Sequence, residues 1–115
     1  LSQLAQYRSF DAPADIGRRY AKVCGDYNPI HLYALTARMF GFPRAIAHGM
    51  WSLARSCALV QPSLAGEPKR LEVSFKQPLL LPGKVAVKFN VSGDAAQFAL
   101  LSRSSDKVHL TGSLS

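Results

Sequence analysis

Apolar residues follow a helical period through the first half of the chain and alternate with polar ones in the second. Tyr7 and Phe10 mark a short strand over residues 6–10. Asp11 is then placed to cap a helix with Pro13 in its first turn, and Ile16, Tyr20 and Val23 recur on one face up to Cys24. Gly17 weakens that helix by about 1 kcal/mol relative to Ala, so its formation depends on packing. A second helix is expected from Pro29 to Phe40, with Ile30, Ala34 and Ala37 along one side and Gly41 as its stop. Gly41-Phe42-Pro43-Arg44 is a loop, because the residue before proline is pushed out of helical geometry. From Ile46 to Val60 the chain is apolar around most of a helical circumference, which predicts a helix buried on most sides. After a Pro- and Gly-containing loop over residues 61–68 the period becomes two. Leu71, Val73 and Phe75 alternate, as do Val85 to Val91, Ala96 to Leu100 and Val108 to Leu114, with turns at Ser92-Gly93-Asp94 and Ser104-Ser105-Asp106. The pattern predicts an antiparallel meander with one buried face, wrapped around the apolar helix: an α+β fold.

At 115 residues the chain has the size of one domain, spanning 1–115. Its start at Leu1 and its end at Ser115 leave open that it is part of a longer protein. No apolar run reaches the ~18 residues of a membrane span and no leader pattern is visible, so the expectation is a soluble cytoplasmic protein. Fourteen Lys and Arg against seven Asp and Glu give a net charge of +7, which favours anionic partners. The basic residues are dispersed without a run, and no zinc-finger, basic-zipper or RNP pattern is present, so nucleic acid is not expected. Cys24 and Cys57 lack metal-site or redox spacing and are read as reduced, buried thiols. No cofactor and no metal is expected.

The chemistry concentrates in Gly25-Asp26-Tyr27-Asn28-Pro29-Ile30-His31. On one continuous helix Asp26 and His31 would point about 140° apart. Pro29 argues for a break instead, with Gly25 as the left-handed residue that ends one helix, Asn28 as the N-cap of the next and Pro29 at its first position. Asp26 then lies in the elbow. His31 lies in a first helical turn, where the dipole favours a neutral imidazole that can accept a proton. The same residues also suit an ordinary helix–turn–helix elbow with no chemistry. Gly49 falls at the start of the apolar helix, where free N–H groups bind a negative oxygen; it equally suits a tight approach to the helix.

Taken together, these segments resemble the MaoC-like hot-dog dehydratases, the group that includes (R)-specific enoyl-CoA hydratases. Gly25 to His31 with Ala37 follows the hydratase signature. Ala47-His48-Gly49-Met50 resembles the start of the family's central helix, and Ser74-Phe75-Lys76-Gln77-Pro78 the strand that follows it. The resemblance implies a hot-dog fold and a homodimer or a pairing with a second hot-dog unit. It also implies an acyl-CoA or acyl-carrier-protein thioester bound near the subunit interface, coenzyme A entering as part of the substrate. Asp26 and His31 would hold a water against the double bond of a trans-2-enoyl thioester, giving an (R)-3-hydroxyacyl product, with Gly49 donating to the thioester oxygen. Which of the two is the base stays open. Asn28 would hold the elbow, Met50 and Trp51 would line the acyl pocket, and Lys76, Arg38 and Arg44 are candidate phosphate contacts. His48 is read as structural and His109 as a surface residue. Cys24 and Tyr33 depart from the residues common in relatives. The alternatives are a hot-dog module that binds or supports without turnover, and a hot-dog thioesterase.

Overall fold

In the computed structural model, which describes residues 4–115, five antiparallel strands form one sheet against a single long helix. Leu1 lies outside the described residues. The strands are β1 (Gln6–Ala12), β2 (Leu71–Phe75), β3 (Gly83–Ser92), β4 (Ala95–Ser102) and β5 (Val108–Leu114), in the order β1-β3-β4-β5-β2. Alternation along β3, β4 and β5 puts matching apolar side chains side by side on one face. Val87 pairs with Leu100 and Leu100 with Leu110, while Phe89 pairs with Phe98 and Phe98 with Gly112. All five large apolar residues are buried.

The central helix, α3 (Gly49–Val60), lays Trp51, Leu53 and Val60 on that face. Each such side chain contributes roughly 1.5–3 kcal/mol by leaving water. Trp51 meets the Phe10 ring edge-on, centroids 6.0 Å apart. The expectation of burial on most sides fails, however: Met50, Ala54 and Ala58 face outward. A single sheet covers one side of a helix, and these three, four residues apart, line the opposite side.

The meander is limited to β3, β4 and β5, since β2 pairs with β5 at the far edge and β1 with β3 at the other. Between β2 and β3, Pro78 and Pro82 remove two of the donors that a hairpin would use. The segment instead runs under the start of α3. There Ala47 N–H donates to Leu79 O (2.9 Å), Leu81 N–H donates to Ala45 O (2.8 Å), and Ile46 bridges Leu80.

Two of the helices differ from expectation. Asp11 continues β1 opposite Lys84, and α1 begins only at Ile16 and runs to Cys24. The expected second helix splits into a 3-10 turn over Pro29–His31 and a short α2 (Ala34–Met39). The break follows from Arg18, whose Nη1 donates to Leu32 O (2.7 Å) while its guanidinium lies 4.6 Å over the Tyr33 ring, holding Tyr33 extended. Cys24, at the end of α1, is exposed rather than buried, and Cys57 is half-buried with its thiol pKa raised by desolvation. No helix among the described residues is long and apolar enough to cross a membrane.

Candidate active site

The elbow between α1 and the 3-10 turn forms as the sequence predicts. Gly25 takes φ 80° and its N–H closes α1 on Ala21 O (2.8 Å). Asp26 Oδ1 accepts the Asn28 N–H (3.1 Å), Asn28 Oδ1 accepts the Ile30 N–H (3.3 Å), and Pro29 follows the cap. Asn28 thus holds the turn and, among the described residues, is not one of those lining the cavity with His31 and Gly49. The elbow is pressed onto α1 through Gly17, where a Cβ would stand 1.6 Å from the His31 carbonyl oxygen. The sequence flagged Gly17 only as a helix weakener; its role is close backbone approach.

His31 is oriented by its Nδ1–H, which donates to Ile46 O (2.7 Å), while the Ile46 N–H donates to Ile30 O (2.9 Å). In the neutral ring this leaves Nε2 as a lone pair, 3.7 Å from Asp26 Oδ2. Burial pushes the His31 pKa below its ordinary value of about 6.5, the His48 ring pushes in the same direction, and the Ile46 carbonyl and Asp26 pull against them. The imidazole is therefore neutral at pH 7, as anticipated. The main cause is desolvation and not the dipole of a helix, which here is a three-residue turn. The depressed pKa sets the sign of a stability effect. The unfolded chain binds protons more readily, so stability is intact above about pH 6.5 and is lost as pH falls from there through the folded pKa. His109 shifts the same way through burial and adds to the effect. A melting series should show Tm falling between pH 7 and pH 5; a flat profile would contradict it.

Asp26 remains half exposed. Its backbone carbonyl accepts the His48 Nε2–H (2.8 Å), and the buried His48 ring stacks on His31 with centroids 3.8 Å apart and planes 22° from parallel. Tyr20 meets the other side of His48 edge-on at 5.0 Å. One ring thus steadies both candidate catalytic groups, a structural part as read from the sequence. His48 Nδ1 is buried and unpaired. Replacing the ring in His48→Leu removes one hydrogen bond, worth about 0.5–1.5 kcal/mol, but also an unsatisfied acceptor costing about 1–3 kcal/mol. We expect stability to change by less than about 1 kcal/mol and kcat to fall roughly 10-fold as Asp26 and His31 lose register. Equal loss in a denaturation curve and none in kcat would reverse that assignment. Donor atoms of Asp26, His31 and His48 lie within 4.8 Å of one another. One nitrogen of each ring is committed as a donor, however, His31 Nδ1 to the Ile46 carbonyl and His48 Nε2 to the Asp26 carbonyl.

His31 and Gly49 line one cavity of about 220 Å³, closed by Ile46, Ser52, Phe75 and Leu110 among others. Gly49 is the first residue of α3, so its N–H has no intrahelical acceptor. A Cβ there would stand 3.0 Å from the Phe75 ring. Lys76 also lines the cavity. The other expected contacts do not. Met50 is exposed and points away; Trp51 is in the core against Phe10; Arg38 Nε donates to Pro43 O (3.4 Å); Arg44 lines a different cavity. Helical geometry explains the first two, since residues 50 and 51 turn about 100° and 200° away from Gly49.

His109 is the residue the sequence misplaced. It is buried in the same cavity wall, its Nδ1–H donating to Gln77 O (3.1 Å). Strict alternation turns His109 outward, but the β4–β5 register shifts at Leu100/Leu101, so both His109 and Leu110 turn inward.

With this geometry, the pattern of the MaoC like domain matches residues 5–112. The chain belongs to the MaoC-like domain family. It is 38% identical over 103 residues to 3-hydroxyacyl-thioester dehydratase X of Mycobacterium tuberculosis (strain ATCC 25618 / H37Rv), covering 89% of this chain and 36% of that protein. The crystal structure of HtdX of Mycobacterium tuberculosis superposes with a TM-score of 0.81 at 31% identity, covering 93% of this chain and 46% of that one. An (R)-hydratase from A. caviae involved in PHA biosynthesis shares the fold, with a TM-score of 0.77, 22% identity and coverage of 97% and 93%. The MaoC-like chain therefore has the hot-dog fold, and it spans about a third of the curated relative and just under half of the HtdX chain.

Proposed function

We propose that this MaoC-like domain is a hydratase/dehydratase that adds water across the double bond of a trans-2-enoyl thioester, forming an (R)-3-hydroxyacyl thioester, and runs the reverse. The observation that carries the proposal is the shared cavity: His31, whose Nδ1–H contact leaves Nε2 unprotonated, and Gly49, the first residue of α3, line one space. A water about 2.8 Å from both His31 Nε2 and Asp26 Oδ2 fits over their 3.7 Å separation. Its oxygen bonds C3, one proton passes to His31 Nε2 and is delivered to C2 from the same face, and Asp26 holds the second O–H. Negative charge builds on the thioester oxygen, where the Gly49 N–H donates, a role typically worth about 3–4 kcal/mol. No cofactor enters this sequence. The relative named a 3-hydroxyacyl-thioester dehydratase supports the substrate class. The (R) configuration rests on the signature from Gly25 to His31.

A cavity of about 220 Å³ holds only the reacting end of an acyl-CoA. Asp26 is exposed in the elbow, Met50, Ala54 and Ala58 are exposed on the outer side of α3, and Leu71 and Phe75 are exposed on edge strand β2. A second hot-dog unit, in a homodimer or elsewhere in a longer chain, would cover them and complete the acyl pocket. Chiral chromatography of the product from a trans-2-enoyl-CoA tests the stereochemistry. An (R) product is expected; an (S) product contradicts the proposal, and free thiol without hydration assigns a thioesterase instead.

A further inference from the structure

Two serines are buried on α3, one turn apart, and their hydroxyls differ in what they bond. Ser56 is fully enclosed, and its hydroxyl donates to the Ser52 carbonyl oxygen (2.8 Å), the back-bond by which a helix absorbs a buried serine. Ser52 is only 4% exposed, yet among the described residues its Oγ makes no hydrogen bond. The carbonyl that could take it, that of His48, accepts the Ser52 N–H (3.2 Å). A hydroxyl left unpaired in the interior is destabilising, and native chains keep few of them. Among the described residues, the side-chain polar atom that is both unpaired and sealed from solvent is His48 Nδ1. Ser52 Oγ is therefore unpaired but not sealed. The cavity that Ser52 lines is the one it shares with His31 and Gly49.

Helix geometry decides where that hydroxyl stands. Ser52 lies three residues past Gly49 and so on the same face, and a helical side chain leans toward the N-terminus, over the turn before it. That turn carries the Gly49 N–H, which precedes any intrahelical acceptor, and Gly49 has no Cβ to come between the two donors. We propose that Ser52 is a second donor to the thioester oxygen, its O–H and the Gly49 N–H holding that oxygen together while negative charge develops on it. This role rests on the enoyl-thioester reading above. Ser52 keeps its proton throughout and contributes a hydrogen bond only. Ser56, whose proton is already committed to the Ser52 carbonyl, has no such part.

Infrared spectra of the full chain with butyryl-CoA, isotope-labelled at the thioester carbonyl, report the bond without turnover, because a saturated thioester has no double bond to hydrate. We expect the carbonyl band of the bound thioester at lower wavenumber in the wild type than in Ser52→Ala, with the shift restored in Ser52→Thr, which keeps the hydroxyl. In hydration of a trans-2-enoyl-CoA, Ser52→Ala should lower kcat about 100-fold and leave KM within about 2-fold, since the bond strengthens as charge develops. Its Tm should hold or rise, because removing Oγ strands no protein partner. Ser56→Ala should leave kcat within about 2-fold. Coincident carbonyl bands in wild type and Ser52→Ala, an undiminished kcat in Ser52→Ala, or an equal loss in Ser56→Ala would overturn the role. A wild type that hydrates nothing, while the band shift is present and lost in Ser52→Ala, counts against the hydratase reading alone; a thioester that does not bind overturns both.

Discussion

Replacing His31 by Gln is expected to lower kcat/KM for hydration by about 10²–10⁴-fold, the range that acid–base assistance supplies. The substitution is chosen so that structure and chemistry separate. A Gln amide can still donate to Ile46 O, as Nδ1 does now, and occupies a similar volume. It cannot carry a proton at the position of Nε2. The fold should therefore melt near the wild-type temperature while turnover collapses. In the wild type, kcat/KM should fall as pH drops through the depressed His31 pKa, below about 6.5, because the reaction needs the unprotonated ring. A His31→Gln enzyme that keeps its rate and that acidic limb would assign the proton transfer to another group.

The second large effect is expected from Gly17→Ala, a change that improves helix propensity by about 1 kcal/mol and would ordinarily stabilise α1. Here the added methyl would stand 1.6 Å from the His31 carbonyl oxygen, with backbone on both sides and no flexible side chain to yield. Overpacking costs about 1–3 kcal/mol, occasionally more, and rigid partners put this site at the upper end. We expect a net loss of at least ~2 kcal/mol in a denaturant titration. We also expect kcat/KM to fall by roughly 100-fold, since His31 is displaced from the cavity it shares with Gly49. A variant more stable than wild type and fully active would mean that the elbow is not fixed by α1.

What the sequence made legible is local. The Gly25 stop, the Asn28 cap and the Pro29 start act within seven residues, and each takes the expected conformation. The alternating strands and the apolar central helix were equally readable, because period and burial are coupled along one element. Contacts that depend on another segment were not. Arg18 breaks the second helix from 14 residues away by holding Leu32 O. His109 turns inward because the β4–β5 register slips, which no alternation within β5 alone announces. The same holds for Gly17, whose partner is a carbonyl in the next element, and for His48, whose ring reaches back 22 residues to Asp26. Met50 and Trp51 were drawn toward the site by their nearness in sequence to Gly49; the helix carries both away from it.

The central claim is that His31, Asp26 and Gly49 act together on an enoyl thioester. Loss of enoyl absorbance from trans-2-enoyl-CoAs of increasing chain length, followed with the wild-type chain, tests it most directly. Hydration of at least one chain length is expected, reduced at least ~100-fold in both Asp26→Asn and His31→Gln. A folded wild-type protein that leaves every enoyl-CoA unchanged, or variants that match its rate, would contradict it.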